Sequence, residues 1–111
     1  MVTRFARRRR PAFEPFRALG DPTRRAIVEM LWYGAELTAG GIAQSFPRIS
    51  RPAVSRHLRV LRSAGVLRAR PQGRRRLYSL DARGLAELDL WAERYRANWQ
   101  RRFTVLSGAA A

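Results

Sequence analysis

The chain has 111 residues and a formal charge of +15, made by 23 basic residues against eight acids, with one histidine and no cysteine. That length fits one domain with a modest core, and a surface this cationic repels itself unless a polyanion neutralises it. The missing cysteines exclude disulfides, thiol catalysis and thiol redox sensing, and no apolar run approaches the roughly 18 residues needed to span a bilayer.

Taken in order, residues 1–11 read as a flexible basic arm carrying Arg4 and Arg7 to Arg10. No apolar stretch follows those charges, so they do not form a secretory signal, and the expected location is the cytoplasm. Phe13, Phe16 and Leu19 recur at helical spacing and predict a short first helix ending at Gly20. Asp21-Pro22 is a helix start, with Asp as N-cap and Pro in the first turn. Ala26, Ile27, Met30 and Leu31 then give an apolar face until Gly34. Trp32 and Tyr33 close this second helix and are expected to pack under the third.

Thr38 caps a short third helix carrying Ile42, Ala43 and Phe46, with Gly40 and Gly41 inside it. Each glycine costs on the order of 1 kcal/mol relative to alanine, so this helix needs tertiary support. Pro47-Arg48-Ile49 is the turn, and Ser50 caps the fourth helix. There Val54, Leu58 and Leu61 fall on one face, at i, i+4 and i+7. Pro52, Arg56, Arg59 and Ser63 point the opposite way, with Arg51 and Ser55 on the flank. Val66 to Arg70 and Arg75 to Leu80 are strand-like runs around Pro71-Gln72-Gly73-Arg74, a hairpin. Asp81 caps a long last helix striped with Leu85, Leu88, Ala92, Tyr95, Trp99 and Leu106, with Trp91 and Phe103 alongside. The tail from Ser107 is expected to fray. The fold class is mainly α with a small β-hairpin, about five helices and two strands. A single domain spans residues 12–106, between the arm at 1–11 and the tail at 107–111.

The charge is uneven. Residues 37–80 hold ten arginines and no acid, a net +10, against +4 for residues 1–36 and +1 for residues 81–111. No lysine occurs, so every cation is an arginine, whose planar fork suits phosphates and guanine edges whatever codon bias produced it. A cationic helix beside a cationic hairpin is a device for gripping double-stranded DNA. Arg51, Ser55 and Arg56 are candidate sequence readers, and Pro52 offers only apolar contact. Arg59 and the tip cluster Arg74, Arg75 and Arg76 are expected to contact phosphate, and Ser50 and Arg70 complete the expected DNA set. His57 lies beside the apolar face and is read as a packed, hydrogen-bonded imidazole. No carboxylate pair, activated nucleophile or phosphate-cradling loop is present, so an enzyme and a cofactor are not expected.

These elements resemble the ArsR family of winged helix-turn-helix repressors. The resemblance is carried by Ala18-Leu19-Gly20-Asp21-Pro22-Thr23-Arg24-Arg25, by the run from Arg51 to Leu61, by Ala64-Gly65-Val66-Leu67 and by the run from Gly73 to Leu80. It covers about Phe13 to Phe103. It implies a homodimer joined through the first and last helices, with the fourth helix in a major groove and the hairpin as a wing on the backbone or in a minor groove. Phe13, Phe16, Leu88, Trp91, Ala92, Tyr95, Trp99 and Phe103 are the expected seam, because so long an amphipathic helix needs a partner surface. Metal-sensing members resemble Glu-Leu-Cys-x-Cys at the third helix, where this chain has Glu36-Leu37-Thr38-Ala39-Gly40. The last helix offers Asp89 and Glu93 but no histidine. No metal site is therefore expected, and the chain looks like the metal-independent, SdpR-like branch: a repressor on a palindromic operator, autoregulatory, and associated with the nucleoid when bound. Two other readings stay open, an architectural protein of low sequence preference and a sensor with an aromatic pocket at the dimer seam. The small-molecule effector, if one exists, is unknown.

Overall fold

Four helices begin at a side-chain oxygen that takes up an otherwise orphaned amide. Asp21 accepts from the Arg24 amide at 3.0 Å, Thr38 from Gly41 at 3.0 Å, Ser50 from Ala53 at 3.2 Å and Asp81 from Arg83 at 3.0 Å. The computed structural model describes residues 13–108. In chain order these form α1 (Phe13–Ala18), α2 (Pro22–Met30), α3 (Ala39–Ala43), α4 (Arg51–Ser63), β1 (Leu67–Gln72), β2 (Arg75–Leu80) and α5 (Ala82–Leu106). The expected basic arm at residues 1–11 lies outside the described residues, as do residues 109–111 of the tail and the side chain of Phe13.

The core is the meeting of α2, α3, α4 and the base of the hairpin. Ile27, Leu31, Ile42, Val54, Leu58, Leu61, Val66 and Leu67 are all buried there, with Ala18 and Val28 beside them. Each fully buried aliphatic side chain contributes roughly 1.5–3 kcal/mol. The three residues at α4's inward spacing are thus the ones that fasten that helix. α3 ends at Ala43, and Phe46 packs against the core from the turn that follows.

Trp32 and Tyr33 correct an expectation. They are 57% and 95% exposed rather than packed under α3. Regular helix stops at Met30, Leu31 takes the core position, and the two aromatics fall in the outward turn beyond it.

The hairpin pairs Leu67 with Leu80 through to Gln72 with Arg75, leaving Gly73-Arg74 as a two-residue tip shorter than the expected one. Gly73 has φ +62, the conformation that glycine supplies at the first position of a type II′ hairpin turn. Val66 belongs to the turn after α4, where its amide donates to Leu61 O and its carbonyl accepts from Asp81. The sequence pattern did not reveal a further pairing: Leu37 and Tyr78 exchange backbone hydrogen bonds of 3.1 and 2.8 Å, adding a one-residue third strand beside β2.

α5 is seated where Gly84 crosses the α4–β1 turn. Its amide donates to Gly65 O at 3.0 Å, and a Cβ at Gly84 would lie 2.3 Å from that oxygen, so no side chain fits. Beyond this crossing α5 leaves the body, and the described side chains from Asp89 to Phe103 are all exposed. α1 braces it: Phe16 meets Trp91 edge-on at 4.7 Å, and Trp91 in turn meets Tyr95 at 4.7 Å.

Asp81, 6% exposed, ties these parts together. The Arg83 guanidinium, donating from Nη2 at 2.8 Å, holds its carboxyl below the usual carboxylate value, against the opposing effect of burial. A carboxyl lowered on folding contributes stability that is fully present above its unfolded value of about 3.9 and is lost as pH falls through the folded value. Asp81→Asn keeps a capping oxygen, so it should flatten the acid limb of the stability profile while preserving most neutral-pH stability. Asp81→Ala should cost about 1 kcal/mol at neutral pH. Denaturant titrations across acidic and neutral pH measure both.

Candidate nucleic-acid interface

Fixing Val54, Leu58 and Leu61 inside leaves the other side of α4 in solvent. Arg51, Pro52, Ser55, Arg56, Arg59, Arg62 and Ser63 are exposed there, and Ser50 is the exposed cap. α3, the turn and α4 together form a helix-turn-helix, with the hairpin standing beside α4 as a wing.

Two open clefts separate α4 from the wing. One is lined by Thr38, Gly40, Gln44, Arg51, Arg74, Arg75, Arg76 and Tyr78. The other is lined by Ser55, Leu58, Arg59, Arg62, Ser63, Arg76 and Tyr78. Arg76 and Tyr78 line both, so β2 forms the ridge between them. Neither cleft has a carboxylate among its lining residues. A concave surface walled by arginine forks, with polar hydroxyls between them, can hold phosphate oxygens on its rims and present α4 to a groove.

The candidate DNA residues do not all fall together. Arg51 reaches back over α3: a Cβ on Gly40 would stand 3.6 Å from its Nη1. The guanidinium thus lies in van der Waals range of the Gly40 position, beside the wing. Arg56 projects from α4 without lining either cleft. Arg70 departs from the expectation. Its Nε and Nη2 donate to the two carboxylate oxygens of Glu36, both at 2.8 Å. By the strand register, Arg70, Arg68 and Ser79 share the wing face opposite Arg76 and Tyr78. The Arg70 hydrogen bonds hold the Glu36 carboxyl below its usual value.

Arg62 and Tyr78 were missed. Arg62 was legible as an exposed arginine one turn beyond Arg59. Tyr78 was legible as the inward partner of Arg76 at i+2, although its place beside α4 depends on the fold. His57 is half-buried, with Nδ1 at 3.3 Å from Arg24 Nη1 and 4.0 Å from Asp21 Oδ2. Arg24 Nε also donates to Ala18 O at 2.5 Å, so this group joins α4 to the α1–α2 junction.

Away from the wing, Phe16, Trp91, Tyr95, Trp99 and Phe103 form an exposed aromatic stripe along α1 and α5, with Trp99 64% exposed. Ala92 is also exposed, and Leu88 is half-buried at the inner end. At the third helix, the Thr38 hydroxyl is engaged as a cap and Gly40 offers no side-chain donor.

A family model described as a helix-turn-helix domain matches residues 19–70. The HTH-type transcriptional regulator Rv2034 of Mycobacterium tuberculosis is 48% identical over 89 residues, 80% of this chain and 78% of that one. The transcriptional repressor SdpR of Bacillus subtilis is 41% identical over 76 residues, 68% of this chain and 82% of that one. The crystal structure of the ArsR family transcriptional regulator RHA00566 superposes with TM-score 0.72 at 28% identity, covering 81% of this chain and 91% of that one. The homodimeric winged helix-turn-helix DNA-binding domain of Mb0332 from Mycobacterium bovis gives TM-score 0.60 at 25% identity, covering 79% and 78%.

Proposed function

The chain belongs to the ArsR family of winged helix-turn-helix transcriptional regulators, and from that premise we propose a homodimeric repressor that occupies a palindromic operator and does not answer to metals. It is a DNA-binding regulator and not an enzyme. The observation that carries the reading is the acid-free concave surface between α4 and the wing, where cationic side chains from both converge.

In this reading α4 enters a major groove, Arg56 and Ser55 face base edges, and Arg51 contacts the groove flank. Arg59, Arg62 and the Arg74 to Arg76 cluster take phosphates. The aromatic stripe on α1 and α5 is covered by a second copy. Supporting this are its exposure in the single chain and the homodimeric assembly of the Mycobacterium bovis relative. Two-fold symmetry then sets the recognition helices about 34 Å apart, one turn of DNA. Repression follows by excluding polymerase, with the chain's own promoter as the first expected target. The capping role of Thr38 and the absent side chain at Gly40 support the metal-independent assignment.

Arg56→Ala should relax sequence preference by about 1–3 kcal/mol at its base pair, whereas Arg74→Ala should weaken all duplexes alike and reduce the salt slope by about 1. Competition binding on a duplex selected from a random pool, against unselected DNA, separates the two. Matched effects would contradict this division of labour, and a pool that yields no palindrome would favour the architectural alternative. Placing carboxylates in the seam, as in Trp91→Asp with Trp99→Asp, should give a monomer by sedimentation and a loss of operator affinity of at least about tenfold, a difference of some 1.4 kcal/mol. Zinc, copper or arsenite should leave DNA affinity unchanged, and release by any of them would refute the metal-independent assignment.

A further inference from the structure

We propose that Glu36 and Arg70 are positioning residues for DNA binding: their ion pair is a strap across the back of the wing that fixes its attitude beside α4. The proposal rests on the DNA-binding reading of the cleft face.

A two-stranded hairpin is marginally stable by itself. Here the wing is rooted at Val66, Leu67 and Leu80, while its tip at Gly73-Arg74 lies six residues up β1, about 20 Å away. Leu37 holds β2 through two backbone hydrogen bonds with Tyr78. Among the described residues β1 is the far edge strand, with β2 as its strand partner. Arg70 stands midway along β1 opposite Leu77, and its side chain crosses the back of β2 to reach Glu36, the neighbour of Leu37. The pair therefore joins the edge strand to the connector between α2 and α3, spanning all three strands. Arg68 Nε reaches the Ser79 hydroxyl at 3.4 Å on the same face.

The bond is a bidentate fork, which fixes direction as well as distance. Both partners are substantially exposed, with side chains 55% and 36% accessible. Such a pair contributes little to global stability. Its effect is expected in the orientation of Arg76 and Tyr78, which face the clefts from the opposite side of the same strands. Glu36 is also the last acid before the acid-free stretch, so the wing arginines it leaves to DNA are those at the tip and on the cleft face.

Two models predict opposite signs for one substitution. If Arg70 were a phosphate contact restrained by Glu36, then Glu36→Gln would free a cation, tighten binding and steepen the salt dependence by about one charge. If the pair is a strap, Glu36→Gln and Arg70→Gln should each weaken binding, on the scale of about tenfold for a broken coupling. The salt slope and melting temperature should stay close to those of the unsubstituted protein. The exchanged pair Glu36→Arg with Arg70→Glu should recover most of the affinity.

Fluorescence anisotropy with the selected duplex, over a range of salt concentrations, reads these outcomes. Hydrogen exchange at the Tyr78 amide, measured without DNA, should accelerate in both single variants and recover in the exchanged pair. Tighter binding by Glu36→Gln, unchanged affinity, or unchanged exchange at Tyr78 would each overturn the strap. Failure of the unsubstituted protein to bind any duplex would instead refute the DNA-binding reading, leaving the exchange experiment to judge the strap.

Discussion

Everything on the functional face depends on how α4 is held. Val54, Leu58 and Leu61 are buried against α2, α3 and the root of the wing, and burial on that one stripe turns the opposite stripe to solvent. A cationic helix has no reason of its own to lie still on a cationic protein. The apolar stripe makes it do so, and the Ser50 cap and Pro52 in the first turn set where it begins. The arginines of α4 are therefore oriented by the buried residues on the opposite stripe of the same helix.

The eight acids of the chain are distributed in a way that protects that face. Asp21 and Asp81 are spent on helix caps, Glu93 pairs along α5 with Arg96, and Glu36 is drawn to the back of the wing by Arg70. Each of these four carboxylates has a local partner away from the clefts between α4 and β2. The resulting positive potential is focused in a concave surface instead of averaging out over the molecule, which is the condition for attracting a polyanion and holding it in register.

At the other end, α5 is longer than the core requires. Its first turns are pinned by Asp81 and by the Gly84–Gly65 crossing, and after Trp91 it presents aromatics that are exposed among the described residues. A second copy would cover that face and set the spacing of two α4 helices. The Arg24–His57–Asp21 group links α4 to the start of α2.

What the sequence determined by itself was set within a turn of chain. The caps at Asp21, Thr38, Ser50 and Asp81, the inward spacing on α4 and the hairpin at Gly73 follow from backbone geometry and side-chain chemistry two to four residues away. The family resemblance then supplied the assembly of these pieces. Only the tertiary structure decided the partners that are far apart in sequence. Arg70 and Glu36 are 34 residues apart, and nothing near Arg70 distinguishes it from the wing arginines at the tip. Strand register sends it to the back. Tyr78 becomes a wall of both clefts only because β2 stands beside α4, and Trp32 and Tyr33 are exposed because regular helix ends before them. Charge and periodicity fix what a segment can do, but which arginine lines a cleft and which meets a carboxylate depends on what the packed elements bring within reach.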